Sequence, residues 1–399
     1  MASLEGRDGF FYLIDPDMHM FHALSEESAG QLAELSGTLA ALGTTLIYLP
    51  LPTKSLAMPD QLPRQAADFG FDPALATTHY LETLRLLRDN EVLTADVRSA
   101  LQVDPAEPPS FFRTDYRLTA AGARRASRAI ADAMEASAGF ANLPKAQFET
   151  GKVGKATLPS VMRSALQRHC MITLPPVETE TYATTRLQAA QGTTDNTIFS
   201  GSTTSGRVAV VGTEHAGDPS ANLSGFLSEY SGLDVVEYAV PGGGSFAAIS
   251  SYLTSSEFQE ARPAYLVWIN PVQNNLAQFG DQPMRELIAA AGTSCRVALP
   301  LLSNGQSNSV IADLSGLDPR QPYTLFLDAE GTDAAVAQFD FLSAAGLIRT
   351  KSIHRHPDQQ KTGRFFMPLS GLWPEGAQTV EILLDAPIGD TARLTACFD

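Results

Sequence analysis

Cysteines are scarce in this sequence, basic residues are outnumbered, and no long apolar run occurs. Three cysteines leave at least one unpaired. The absence of any stretch of about 18 apolar residues excludes a membrane-spanning helix. Lys and Arg number 28 against 44 Asp and Glu, a net charge of −16. That balance argues against nucleic acid as a general partner, because phosphate binding needs a basic footprint. An anionic polymer held by a local basic patch stays open. Met1-Ala2-Ser3-Leu4-Glu5-Gly6 lacks the basic and apolar regions of a signal peptide. Either the protein is cytoplasmic or a leader has been removed. No metal or cofactor is expected.

What is present reads as a globular protein. The composition is 44% hydrophobic and 18% charged, and 399 residues suffice for two domains with their own cores. Phe10-Phe11-Tyr12-Leu13 reads as a strand after a turn. Leu32, Leu35, Leu39 and Leu42 give helical spacing over 25–43, with Gly43 as the cap. Thr45–Leu49 is a short apolar strand of the buried parallel kind. A helix near 76–90 and a strand within 91–101 repeat the rhythm, followed by a helix at 119–137. Residues 140–200 predict one helix at 158–169 and an irregular polar stretch through Thr193-Thr194-Asp195-Asn196, an excursion from the sheet. Strands at Val208–Val211, Asp234–Tyr238 and Tyr265–Ile269 alternate with helices at Asn222–Ser231 and Ala247–Leu253. Alternation of this kind predicts a doubly wound parallel sheet with helices on both faces.

From about 293 the pattern changes to short alternating strands between Gly, Pro, Asn and Asp turns. They are expected at 295–301, 308–313, 322–328, 336–341, 347–352, 363–367, 378–384 and 391–397, the spacing of an antiparallel sandwich. The expected domains are 1–290 and 293–399. No repeat or low-complexity linker separates them, so direct packing of one on the other is expected.

Two blocks carry the chemistry. One is Thr114-Asp115-Tyr116-Arg117-Leu118-Thr119-Ala120-Ala121-Gly122-Ala123, the other Val208-Ala209-Val210-Val211-Gly212-Thr213-Glu214-His215. Together they resemble the two catalytic blocks of the alginate O-acetyltransferase family, the AlgX/AlgJ-like proteins with an SGNH-hydrolase fold. The likeness continues at Gly6-Arg7-Asp8-Gly9, Pro52-Thr53-Lys54, Asn222 with Gly225-Phe226-Leu227, Gly242–Ser245, Tyr252-Leu253, and Trp268 before Asn270-Pro271. In that family the first block reads Asp-x-His-Trp-Thr-x-x-Gly-Ala and the second Gly-Thr-Ser. The aspartate orients a histidine, which activates the serine for acyl transfer.

The resemblance implies an SGNH-hydrolase-like α/β domain followed by an all-β sandwich that is a carbohydrate-binding module. It also favours a periplasmic protein whose leader has been removed. It implies a bridge within the C-terminal module, so Cys295, near the start of that module, is expected to pair with Cys397, near its end. Cys170 is then free.

The departures fall on the catalytic positions. Asp115 stands in the acid slot, but Arg117 occupies the histidine slot and Glu214 the serine slot. Arginine cannot act as a base, because its pKa stays above about 12. A route through Glu214 would need a mixed anhydride, and His215 is adjacent to Glu214 in the chain. Two readings remain open. In one, Arg117 bridges Asp115 and Glu214 as an ion-pair triad; in the other, all are solvated charges in a shallow groove. Asn222, His215, Gly243, Gly244 and Ser245 are expected around the oxyanion side of the cleft.

In the second domain Arg349, Lys351, Arg355, Lys361 and Arg364 fall close together with His354 and His356, opposed only by Asp358. In so acidic a chain this cluster points to an anionic ligand. The resemblance makes that ligand an acidic polysaccharide such as a polyuronate, held by Arg349, Lys351, His354, Arg355 and Arg364 with Trp373 offered to a sugar ring. Three functions are carried forward. The first is a binding protein of acidic exopolysaccharide with a degenerate acetyltransferase site. The second is an active O-acetyltransferase or acetylesterase with a rearranged site. The third is a structural partner of periplasmic secretion-complex proteins that binds no glycan.

Overall fold

The computed structural model describes residues 2–20, 24–104, 106–187, 204–292, 295–329 and 331–398. The chain divides into two compact units. One comprises Met1–Ala29, Thr45–Ala239 and Pro263–Asn275; the other comprises Gly30–Thr44, Val240–Arg262 and Leu276–Asp399.

The first unit is built on a four-stranded parallel sheet, ordered Thr45–Leu51, Arg262–Pro271, Thr204–Gly212 and Asp234–Ala239. Tyr48 lies opposite Trp268 and Val211 opposite Tyr238. Ile47, Val208–Val211 and Leu266–Trp268 are fully buried, as expected of strands covered on both faces. The helices Ala120–Glu135 and Leu223–Ser231 pack on each other, and the Ser127 hydroxyl donates to the Leu223 carbonyl at 2.8 Å. Thr119 caps the first of these by accepting from the Gly122 amide. Gly122 itself is required by packing: a Cβ there would stand 2.1 Å from the Ser110 carbonyl oxygen. The motif glycine thus lets the helix approach the backbone that leads into Asp115.

Three elements of this unit differ from the sequence reading. Within 91–101 only Leu93 makes a parallel bridge, to Ile47, and Val97–Leu101 is a short helix capped by Asp96. Phe11–Leu13 pairs with Ser3–Glu5 in a separate two-stranded sheet. Residues Phe148–Leu158 and Val177–Arg186 form a long antiparallel ribbon with a bulge at Lys152/Gly154, where only one helix was expected. Much of the ribbon is exposed and its less exposed positions are largely Thr, Gly and Ala, so little apolar signal marks it. The expected helix is present but shorter, at Val161–Gln167. The polar stretch through Thr193–Asn196 lies outside the described residues.

The second unit contains two antiparallel sheets. One runs Leu301–Ser303, Ser309–Asp313, Thr379–Leu384, Val336–Leu342, Ile348–His354; the other runs Arg364–Pro368, Tyr323–Asp328, Arg393–Phe398, Cys295–Leu299. Alternate side chains, among them Leu325, Leu327, Phe339, Phe341, Val380 and Ile382, are fully buried in their shared core. The expected strand at 295–301 is broken at Pro300, which has no N–H to offer a ladder. Cys295 and Cys397 are bonded, joining two paired strands, and Cys170 is free and half-buried. The helix Gln282–Ala291 belongs to this unit and packs on the strand Arg364–Pro368.

Candidate functional site

The turn after Thr204–Gly212 leaves the parallel sheet at the carboxyl end of its strand, where open α/β sheets place their ligands. Gly212 is fixed by crowding: a Cβ would meet the Ile269 carbonyl oxygen at 2.7 Å and Ala216 Cβ at 3.1 Å. Thr213 and His215 turn inward and are buried, while Glu214 between them is half-buried.

Asp115 is buried, and Arg117 closes over it. The Arg117 Nε donates to Asp115 Oδ1 at 2.9 Å and Nη2 donates to Oδ2 at 3.1 Å. The Arg117 backbone N–H adds a third donor to Oδ1 at 2.9 Å. Burial alone would raise the Asp115 carboxyl, but the hydrogen bonds from Arg117 and Ser160 outweigh it and hold it below the usual carboxylate range. The same guanidinium reaches Asp218 Oδ2 at 3.4 Å and the Pro159 carbonyl at 2.9 Å. The bridging arginine expected from the sequence is therefore present, but its second carboxylate is Asp218 rather than Glu214. Glu214 instead lies beside Tyr116, whose hydroxyl is pushed up by burial and then by that carboxylate.

His215 sits edge-on to Tyr116, with ring centroids 6.1 Å apart. Burial lowers its pKa, outweighing the pull of Glu214, Asp218 and Asp115, so the ring is held neutral. Its Nδ1 and the Thr213 hydroxyl are buried without hydrogen-bond partners. No group of His, Cys, Asp and Glu able to hold a metal occurs among the described residues.

Beneath the site lies a residue to which the sequence assigned no role. Lys54 is buried, and its ammonium donates to the carbonyls of Phe11 (2.8 Å), Arg113 (2.9 Å), Asp115 (3.1 Å) and Phe112. Asp17, also buried, lies beside it and accepts the N–H groups of Leu13 and Ser55. Lys54 thus ties the strand Phe11–Leu13 to the backbone running into Asp115. Burial brings its pKa down to about 7 against the opposing pull of Asp17 and Asp115.

Asn222 adopts a left-handed conformation (φ 54°) before the helix Leu223–Ser231, and its amide donates to Thr184 Oγ1 at 3.2 Å. A cavity of about 610 Å³ opens beside Asp218 and is also lined by Asn222, Ser224, Glu237 and Tyr238. Gly243, Gly244 and Ser245 precede the helix Ala247–Leu253 in the second unit, Gly244 with φ 63°.

The basic segment of the second unit is mostly committed inward. Arg355 forms a bidentate pair with Glu286 of the helix Gln282–Ala291, and the side chains are only 7% and 4% exposed. Arg364 lies 3.5 Å from Asp328 and donates to the Thr254 carbonyl. These two do not contribute to an open cationic face, because buried guanidinium groups need carboxylate partners. Lys351 donates to the carbonyls of Pro368 and Ser370, and Arg349 to those of Gly371 and Leu372. The Arg349 guanidinium also lies over the Trp373 ring at 5.0 Å. His354 and Lys361 are exposed. Near Trp373 a cavity of about 440 Å³ is lined by Arg320, Tyr323, Ser370 and Glu375.

Comparison with known proteins accords with this architecture. A family model described as SGNH hydrolase-like domain, acetyltransferase AlgX, matches residues 4–271. The alginate biosynthesis protein AlgX of Pseudomonas aeruginosa is 29% identical over 304 residues, covering 76% of this chain and 60% of that protein. AlgX of Azotobacter vinelandii is 26% identical over 295 residues, covering 74% of this chain and 59% of its own. The chain thus spans about three-fifths of the length of these relatives. The probable alginate O-acetylase AlgJ of Pseudomonas putida is 26% identical over 271 residues, covering 66% of this chain and 68% of its own. The solved structure of P. aeruginosa AlgX superposes with a TM-score of 0.81 at 23% identity, covering 100% of this chain and 94% of that one. That structural likeness establishes the fold. With the family match spanning both blocks, this chain belongs to the AlgX family of SGNH hydrolase-like acetyltransferase domains.

Proposed function

We propose that this protein serves alginate-type exopolysaccharide biosynthesis in the periplasm as a binding member of its family, with a site that no longer transfers acetyl groups. The observation that carries the reading is the ion pair of Arg117 with Asp115 and Asp218. In a working triad the group beside the aspartate must accept a proton and return it. A guanidinium held between carboxylates does neither, since its hydrogen bond with Asp115 raises its pKa further. Glu214 brings a second obstacle, because its carboxylate offers no hydroxyl for an acetyl-serine. His215 does not restore a base to Asp115, whose hydrogen bonds are taken by Arg117 and Ser160.

In this reading residues 1–290 supply the inactive frame and 293–399 the polymer contact. That contact narrows to Arg349, Lys351, His354 and Trp373, because Arg355 and Arg364 are engaged internally. Trp373 offers an aromatic face whose orientation Arg349 fixes, and the neighbouring cavity has room for a sugar ring. Affinity electrophoresis through a polyuronate-containing gel tests this half of the proposal. The parent is expected to be retarded, less so at high salt, and a Lys351→Gln/Trp373→Ala variant to run freely. Equal migration of the two proteins would refute glycan binding at this surface and favour a purely structural partner.

A further inference from the structure

We propose that residues 161–173 form a contact site for an anionic phospholipid surface, a reading independent of the polysaccharide proposal. The sequence there is unusual for this chain. Residues 158–177 contain no Asp or Glu although the protein carries 44 of them, and the segment bears Arg163, Arg168 and His169. Three large apolar side chains project from it into water: Val161 is 75% exposed, Met171 104% and Ile172 74%.

The projection is built into the fold. Gln167 clamps the loop, donating to the Ile172 carbonyl at 3.0 Å and accepting the Leu174 N–H at 2.7 Å. Arg163 donates to the Pro175 carbonyl at 2.6 Å and to that of Leu174. The His169 and Cys170 amides donate to the Leu166 carbonyl. Underneath, Phe11, Leu13, Met162, Leu166 and Leu174 form a small core that takes the inward side chains. The backbone is thus satisfied and anchored from below, while Met171 and Ile172 stay outside with Arg168 exposed beside them.

The chemistry of this patch selects its partner. Three projecting side chains supply far less than the roughly 800 Å² per partner that a stable protein interface buries. A polyuronate would satisfy Arg168 but has no hydrocarbon for Met171 and Ile172. An anionic bilayer offers both, acidic headgroups for the cation and acyl chains for the apolar tip. The net charge of −16 does not prevent approach, because charges beyond a Debye length of about 8 Å are screened at physiological ionic strength.

Vesicle flotation of the whole chain tests the proposal, with phosphatidylcholine vesicles containing or lacking phosphatidylglycerol. The parent is expected to float with the anionic vesicles, less at high salt, and weakly with phosphatidylcholine alone. Arg168→Glu is expected to lower the apparent affinity about fivefold or more, the factor that one surface cation supplies. Met171→Ser/Ile172→Ser is expected to lower it comparably; all three positions are exposed, so unchanged melting curves verify the fold. Ile172→Trp adds a direct readout, a blue-shifted indole emission on anionic vesicles. The proposal is overturned if the parent does not float, if the weakened variants float equally well, or if the emission of the Ile172→Trp variant does not move. It is also overturned if, without lipid, the parent dimerises in sedimentation and Met171→Ser/Ile172→Ser abolishes the dimer, since the patch then covers a second copy.

Discussion

Arg117 is the residue on which the site turns. Its side chain is 18% exposed and its guanidinium lies over an Asp115 side chain only 2% exposed, so Asp115 has little water to hydrate it without its partner. Replacing Arg117 with methionine removes the partner and strands a buried carboxylate, a loss of about 3–5 kcal/mol. Urea denaturation of Arg117→Met and of Arg117→Met/Asp115→Asn checks this, with the double variant expected to recover much of the loss. Recovery fails if the arginine acts through packing alone.

Acid titration reads two residues of the site. The folded Asp115 carboxyl lies below its ordinary value, so its contribution is present above about pH 4 and lost only as pH falls through the lowered folded value. His215 is held neutral by burial, whereas the unfolded chain takes up its proton near pH 6.5. Its contribution is complete above that value and declines as pH falls below it. Melting temperatures between pH 8 and 5 should therefore fall more steeply in the parent than in a His215→Gln variant. Identical slopes would show that the folded ring takes up its proton as readily as the unfolded one. Two partners at this scale escaped the sequence. Asp218 lies 101 residues from Arg117, and Lys54, part of the Pro52-Thr53-Lys54 likeness, was given no partner. Neither partnership follows from composition or spacing, because only the folded chain brings these groups together.

At the scale of elements, the strands and helices around the site were legible wherever burial was complete. Val208–Val211 and Tyr265–Ile269 announce themselves as continuous apolar runs, and the helix capped by Thr119 falls where it was expected, whereas the helix capped by Asp72 begins at Pro73, ahead of the expected 76. The ribbon Phe148–Leu158/Val177–Arg186 did not stand out, since most of its less exposed positions are Thr, Gly or Ala rather than large apolar side chains. The strand expected within 91–101 failed for a different reason: one bridging residue, Leu93, satisfies the Tyr48 N–H, and Asp96 then starts a helix. Gly122 is the element-scale test of the first block. A Gly122→Ala substitution forces a Cβ against the Ser110 backbone and should cost about 1–3 kcal/mol, although alanine favours helices. Unchanged stability would mean that the helix can move away from that carbonyl freely. In the second unit the bidentate Arg355–Glu286 pair fastens the segment after Ile348–His354 to the helix Gln282–Ala291. Glu286→Ala, which leaves the guanidinium buried, is expected to destabilise that unit by about 3–5 kcal/mol, measured by calorimetry. The basic segment that reads as a ligand surface is thus partly an internal fastening. Sequence shows the charge of an arginine but not the direction in which it points.

For the whole molecule, the order of a parallel sheet followed by an antiparallel sandwich was readable from the change of hydrophobic period alone. The contribution of Gly30–Thr44 and Val240–Arg262 to the sandwich-containing unit was not, because grouping by contact ignores order along the chain. The Cys295–Cys397 bond links positions 102 residues apart within that unit. A Cys295→Ser/Cys397→Ser variant should lose about 2–5 kcal/mol, with the loss confined to the transition of the second unit. In the proposed reading the family frame surrounds a site with a guanidinium where the family's base would stand and a carboxylate where its nucleophile would stand. The central claim is that this frame no longer transfers acetyl groups. The most direct test is hydrolysis of a small acetyl ester by the parent beside a Glu214→Ser/Arg117→His double variant. The parent is expected to be indistinguishable from buffer and the double variant to turn over measurably; turnover by the parent well above buffer would mean that the site is active and uses another nucleophile.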